Sequence, residues 1–322
     1  VTREGKLVLL ALGLLAAVLL ALLAGKVWVP LWGIGVSDPR AIIMVELRIP
    51  RALLAGTIGA GLGLSGAALQ GYTRNPLADP AILGISALAA LGAVAAIFLG
   101  FGASISIVAS FAMVGAGLAV VLLGVLSGRS ASAVTFVLAG TVLSSLAGAL
   151  TALLLTLSPN PFAISEMLNW LMGALTDRSW VEVTIALPLV LLGSAVVVTQ
   201  RHALDALALG EEVAMSLGVS LGRMQWALAL GLALIVGGSV AVTGIVGFVG
   251  LIVPHVLRPF FGARTSLLLV PSALGGAILV LVADGLVRLV PGAGELRLGT
   301  AMALIGAPFF LALLLRLNQE PR

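Results

Sequence analysis

The chain has 322 residues, of which 61% are hydrophobic and 9% charged, with a formal net charge of +4 and no cysteine. That balance describes a polytopic membrane protein and excludes a soluble two-lobed enzyme, a disulfide framework and a thiolate zinc site. The basic residues form no dense cluster, so the charge reads as loop topology and not as nucleic-acid binding.

At about 20 apolar residues per crossing, the length accommodates on the order of ten helices and no separate soluble domain. The expected fold class is an all-α polytopic membrane protein, with residues 1–322 forming a single transmembrane domain. The first apolar run, Leu7 to Ala24, follows VTREGK as a secretory signal would. It reaches spanning length without a convincing small-residue cleavage site, and so reads as span one.

Trp28 and Trp32 in the segment that follows suit an interfacial belt. Span two runs from about Pro50 to Gln70, and Arg74-Asn75-Pro76-Leu77-Ala78-Asp79-Pro80 then breaks the helix twice. Span three covers Ala81 to Leu99, span four Ser104 to Leu126 and span five Val134 to Leu157, with Ser127-Gly128-Arg129-Ser130 between the last two. Ser158-Pro159-Asn160-Pro161 stops span five, and Phe162 to Ala174 reads as a short amphipathic surface helix. Span six is Val181 to Thr199 and span seven Gln225 to Thr243. Span eight, Gly244 to Phe261, is interrupted by Pro254 and His255 and is expected to be short or irregular. Spans nine and ten cover Leu267 to Val290 and Leu298 to Leu315.

With a cytoplasmic N-terminus, ten of the 17 lysines and arginines fall inside, in keeping with the positive-inside rule. Arg48, Arg51 and Arg288 run against that trend, at the outer ends of spans two and nine.

Between spans six and seven lies the most polar stretch, Arg201 to Arg223, carrying Arg201, His202, Asp205, Glu211, Glu212 and Arg223. It must lie in water. Glu211 and Glu212 suit the first turn of a helix, where carboxylates complement the dipole, and Gly218 suits its end. Val213 and Leu217 then share a face.

Several motifs fail their context. Gly61-Leu62-Gly63-Leu64-Ser65-Gly66 has the spacing of a dinucleotide fingerprint but no preceding strand, and with Gly59 it serves better as a small-residue packing surface. Gly218-Val219-Ser220-Leu221-Gly222 has the spacing of a serine nucleophile elbow without a preceding strand or an oriented base. The two histidines and scattered carboxylates offer no metal-ligand cluster, and no phosphate-binding loop of the G-x-x-x-x-G-K-[ST] type occurs. Asp284 and Arg288 sit four apart on one helical face. They fit a local ion pair, while an intramembrane carboxylate also raises the alternative of an ion- or proton-coupled secondary transporter.

An ordered series of motifs goes further. It comprises Arg48-Ile49-Pro50-Arg51, Ser65-Gly66 with Gln70, Arg74 through Pro80 with Leu83-Gly84, and Ala208-Leu209-Gly210 through Leu217-Gly218-Val219. It continues with Gly247 through His255 and Arg258, Gly294-Glu295-Leu296, Leu298-Gly299, and Gly306-Ala307-Pro308-Phe309. From span one to span ten this resembles the permease family of type II ATP-binding-cassette importers, which carry iron–siderophore complexes, heme or vitamin B12.

The resemblance implies a homodimer in the bacterial inner membrane, two separate ATPase subunits that use ATP and magnesium, and a periplasmic substrate-binding protein. The chain itself would be no enzyme and would bind no cofactor or metal of its own. Arg48, Arg51 and Arg288 match the family's outer arginines, expected as exposed forks for glutamates on the binding protein. Asn75 and Leu77 match the cytoplasmic gate, whose second element aligns near Ala133 and Val134 without the polar residues found in the vitamin B12 permease. Leu209, Gly210, Glu211, Glu212, Val213, Leu217 and Gly218 match the segment that couples to the ATPase. Arg297 stands where the family commonly has proline, and His255 belongs to the general family pattern, which favours a structural role over heme ligation.

Overall fold

The computed structural model describes residues 2–25, 38–128, 132–290 and 296–317, and among them every regular element is helical. Trp28, Trp32, Arg129, Ser130, Gly294 and Glu295, which figure in the sequence reading, lie outside the described residues. Helix α1 is Arg3–Leu23. The short α2 (Pro39–Ile42) continues through a π-helical turn, Ile43–Arg48, into α3 (Ile49–Thr73). Then come α4 (Ile85–Phe98), α5 (Ile105–Ser127), α6 (Ala133–Leu157), α7 (Pro161–Leu171), α8 (Trp180–Thr199), α9 (Arg201–Leu207) and α10 (Glu211–Ser216). Helix α11 (Leu221–Leu232) passes through a second π-helical turn into α12 (Gly238–Thr243), and α13 (Val249–Phe261), α14 (Thr265–Leu289) and α15 (Leu298–Leu317) complete the order.

Among the described residues seven helical stretches are long and apolar enough to cross a bilayer, and three shorter apolar helices, Ile85–Phe98, Val249–Phe261 and Leu298–Leu313, occupy the other expected spans. All-helical structure follows from the solvent: a helix satisfies its own backbone groups, which hydrocarbon cannot do. The protein is therefore an all-α polytopic membrane protein.

At the centre stands α3, 78% of whose apolar window is buried, against 11% for α1 at the edge. Its partner is α14, and small residues set the distance between them. A Cβ on Gly59 would overlap the carbonyl of Gly276, and one on Gly276 would overlap the carbonyl of Gly59. Close backbone approach of this kind drives helix association where lipid removes the hydrophobic incentive. Outward-facing leucines and valines on α5, α6, α8 and α15 would be costly in water; lipid is their natural solvent.

Two local features depart from plain spans. Helix α7 starts where the Asn160 side chain accepts from the Phe162 amide at 3.0 Å, with Pro161 in the first turn, as a short helix outside the main bundle requires. The irregular span is broken earlier than Pro254: α12 ends at Thr243, residues 244–248 are non-helical, and α13 begins beside the interior of α3, with Gly250 against Gly66. Such backbone is tolerated where protein buries it. Pro254 lies inside α13, and its missing N–H leaves the Gly250 carbonyl without a helical donor. The Gln70 Nε2 donates to that carbonyl at 3.3 Å, and Arg258 Nη2 donates to Gln70 Oε1 at 2.7 Å. Gln70 thus repairs a defect that proline creates.

Candidate docking, gate and coupling sites

The polar stretch after α8 folds as two short helices. Helix α10 begins at Glu211 and Glu212, after Gly210 at φ 113°, and the chain turns away at Gly218 with φ 85°. Both angles lie in the region that glycine adopts without strain. Leu209, Val213, Met215 and Leu217 are exposed, at 67%, 42%, 53% and 64%. Four large apolar side chains around one short helix, flanked by Glu212, make an amphipathic face with nothing covering it among the described residues. Ala214 is buried on the opposite side. Glu211 turns inward, 3.7 Å from Arg74 at the end of α3.

Asp205 of α9 reaches the first turn of α14. It accepts from the Ser266 amide at 2.9 Å and from the Ser266 hydroxyl, and it lies 3.5 Å from Arg264. A carboxylate here satisfies an orphan amide and complements the helix dipole. Ser220 shares this segment with His202, but the His202 Nε2 accepts from Arg201 Nε at 3.1 Å, which gives the nucleophile-elbow reading no support.

Beside Arg74, in left-handed backbone at φ 52°, is the candidate gate. Asn75 Oδ1 accepts from the Leu77 amide at 2.9 Å, closing a tight turn, while Asn75 is exposed and Leu77 half-buried. Asp79 Oδ1 then caps the turn Pro80–Leu83 by accepting from the Ala81 amide at 2.8 Å. Val134, aligned with the second gate element, is exposed at the start of α6, and Ala133 is half-buried.

At the opposite end of α3 and α14 the three arginines come together, and here one expectation needs correction. Arg48 and Arg288 are not exposed forks: they are 7% and 6% exposed. The physical reason is the end of α1, whose last carbonyls lack helical donors. Arg48 Nη1 donates to Leu22 and Leu23 oxygens at 2.6 and 2.7 Å, and Arg288 Nη1 to Ala21 and Ala24 oxygens at 2.9 and 3.3 Å. Arg288 Nη2 also lies 3.0 Å from Asp284 Oδ2, the i,i+4 pair expected from the sequence. Arg51 joins the same carboxylate with Nη2 at 2.8 Å and Nε at 3.1 Å, and its side chain is 12% exposed. The Arg51 contribution to this cluster was not legible from spacing.

Near this end, α7, the loop before α8 and the approach to α15 line an open cleft of about 410 Å³, with Glu166, Asp177, Arg178 and Arg297 in its walls. The Arg178 guanidinium lies 5.0 Å from the Trp170 ring, and burial pushes it below its usual range. Arg297 Nη2 donates to Asn169 Oδ1 at 3.0 Å, so the residue that departs from the family turn fastens α15 to α7. His255 packs edge-on against Phe309, ring centres 6.0 Å apart.

Ten apolar segments around a central glycine-packed helix pair, a half-length helix beginning inside the bundle and an exposed amphipathic segment at one end define a transmembrane transport subunit. The FecCD transport family model matches residues 13–316, and the chain belongs to that family. It is 38% identical over 315 residues to the vitamin B12 import system permease of Vibrio cholerae, covering 95% of this chain and 93% of that one. It is 37% identical over 317 residues to the Fe(3+) dicitrate transport system permease of Escherichia coli, covering 97% and 98%. A solved metal-chelate type ABC transporter in an inward-facing conformation superposes with a TM-score of 0.89 at 32% identity, covering 97% of this chain and 99% of the other.

Proposed function

We propose that this permease moves a bulky iron chelate, a siderophore complex or heme, or a corrinoid across the bacterial inner membrane, as half of a homodimer. ATP and magnesium are used by two separate ATPase subunits that seat on the coupling segment, and a periplasmic binding protein delivers the cargo to the opposite face. The observation that carries this reading is the exposure of Leu209, Val213 and Leu217 on and beside the short helix α10, uncovered among the described residues. A solvent-exposed patch of this kind marks a protein interface. Relatives at 38% and 37% identity named as vitamin B12 and iron–citrate permeases support the cargo class.

In this reading Arg48, Arg51 and Arg288 form the docking cluster for the binding protein. Because Arg51 and Arg288 already hold Asp284, an arriving carboxylate competes with Asp284 for them. Asn75 and Leu77, in the turn next to the coupling segment, form the cytoplasmic gate, and the lipid bilayer covers the outward apolar surface. A proton-coupled mechanism would route protons through Asp284. Its carboxylate is 1% exposed and clamped between two guanidiniums, which suits anchoring.

The test is uptake by proteoliposomes containing the permease and its ATPase subunits, loaded with ATP and given the binding protein. Ferric citrate, a ferric hydroxamate, hemin and cyanocobalamin are offered in turn. Uptake of one of them supports the reading; uptake of none overturns the cargo class.

A further inference from the structure

The coupling segment and the arginine cluster lie at opposite ends of the same two helices. At the near end, Glu211 pairs with Arg74 just beyond α3, and Asp205 holds the first turn of α14 through the Ser266 amide and hydroxyl. At the far end, Arg48 and Arg51 stand at the start of α3 and Arg288 in the last turn of α14, and Asp284 ties Arg51 to Arg288. Ser266 and Asp284 are about 27 Å apart along the helix at 1.5 Å per residue.

Between these ends the two helices cannot slide freely. Two glycine contacts near the middle are backbone against backbone: Gly59 against Gly276, and Gly63 against Ser272. A displacement of one helix along the other would drive carbonyls into Cα atoms, since packed interfaces shift between discrete arrangements and do not deform continuously. Of the two near-end contacts, the Arg74–Glu211 pair is exposed, 48% and 36%, and is weakened by water. Asp205 is 12% exposed and makes charge-assisted hydrogen bonds at a helix N-terminus, so it is the stronger joint.

We propose that α3 and α14 act as one rigid strut between the ATPase-facing segment and the docking arginines, and that Asp205 is the positioning residue that fastens α9 to it. The proposal rests on the importer reading of both ends. It assigns to Asp205 a role in transmission and none in the ATPase contact itself, because its side chain faces α14. Docking of the binding protein on the outside and ATP hydrolysis on the inside are then linked through this joint.

Two variants of the complete importer test it in nanodiscs, with the stimulation of ATP hydrolysis by the binding protein as readout. Asp205→Asn is expected to keep ATPase assembly and the unstimulated rate while losing at least about fivefold of the stimulation, the low end of ordinary allosteric coupling. The chain has no cysteine, so Gly71→Cys with Thr265→Cys introduces its only thiols. A Cβ on Gly71 lies 3.0 Å from the Thr265 Cβ, about 0.5 Å short of the separation of about 3.5–4.5 Å that a disulfide spans, so a small side-chain and backbone adjustment admits the bond. A rigid strut predicts equal stimulation in the oxidised and reduced states.

Stimulation lost on oxidation and regained on reduction overturns the strut. Full stimulation in an assembled Asp205→Asn complex overturns the role of Asp205, and if that variant fails to assemble, the cross-link alone decides. A wild-type permease that neither ATPase subunits nor binding protein engage overturns the importer reading, a different failure from either of these.

Discussion

Arg51 grips Asp284 with two nitrogens, at 2.8 and 3.1 Å, across 233 residues of sequence. The pair joins α3 to α14 where both meet the end of α1, and Arg288 shares the same carboxylate. Removing one partner of a buried ion pair strands the other. Asp284→Ala is therefore expected to destabilise the protein by about 3–5 kcal/mol. Thermal unfolding of the purified variant in detergent measures this, and an unchanged transition would show that the pair anchors nothing.

The glycine contact makes a second prediction. Gly59→Ala places a methyl group against the Gly276 carbonyl and is expected to cost about 1–3 kcal/mol, as overpacking does. Gly148→Ala, where a Cβ meets nothing within 4 Å, is the matched control and is expected to be neutral or to gain up to about 1 kcal/mol from helix propensity. The comparison is made by the same unfolding assay.

On the coupling segment, Leu217→Asp changes a side chain that is 64% exposed and supports no core packing. The permease should fold as before while its affinity for the ATPase subunits falls about tenfold to a hundredfold, the range for losing an apolar interface anchor. Titration of detergent-solubilised permease with the ATPase subunit reads the change directly. Wild-type affinity would move the contact surface elsewhere.

For docking, Arg51 is the least confounded position: Arg48 and Arg288 also hold the end of α1, whereas Arg288 still neutralises Asp284 when Arg51 is replaced. Arg51→Ala is expected to weaken association with the binding protein and to flatten its dependence on salt. Association unchanged at low and at high ionic strength would remove Arg51 from the docking surface.

Hydropathy made the spans legible, because a stretch such as Ile105–Ser127 has one stable solution in lipid. The surface helix α7 and the helical start at Glu211 were readable from Pro161 and the paired glutamates, whose effects are local. The arginines were placed correctly along the chain but not in their surroundings. A charge pattern carries no information about the free carbonyls that end α1, or about which distant helix presents Asp284. The break in the irregular span was misplaced for a related reason: Pro254 signals a defect, yet Gln70, far away in sequence, repairs it and lets the helix continue. Long-range satisfaction of polar groups decided both cases.

The most direct measurement of the central claim is the energy source for uptake. Proteoliposomes holding the permease with its ATPase subunits and binding protein are given either internal ATP or an imposed proton gradient. Uptake that requires ATP hydrolysis, requires both partners and is indifferent to the gradient is the predicted result. Uptake by the permease alone, driven by the gradient and abolished by Asp284→Asn, would contradict it.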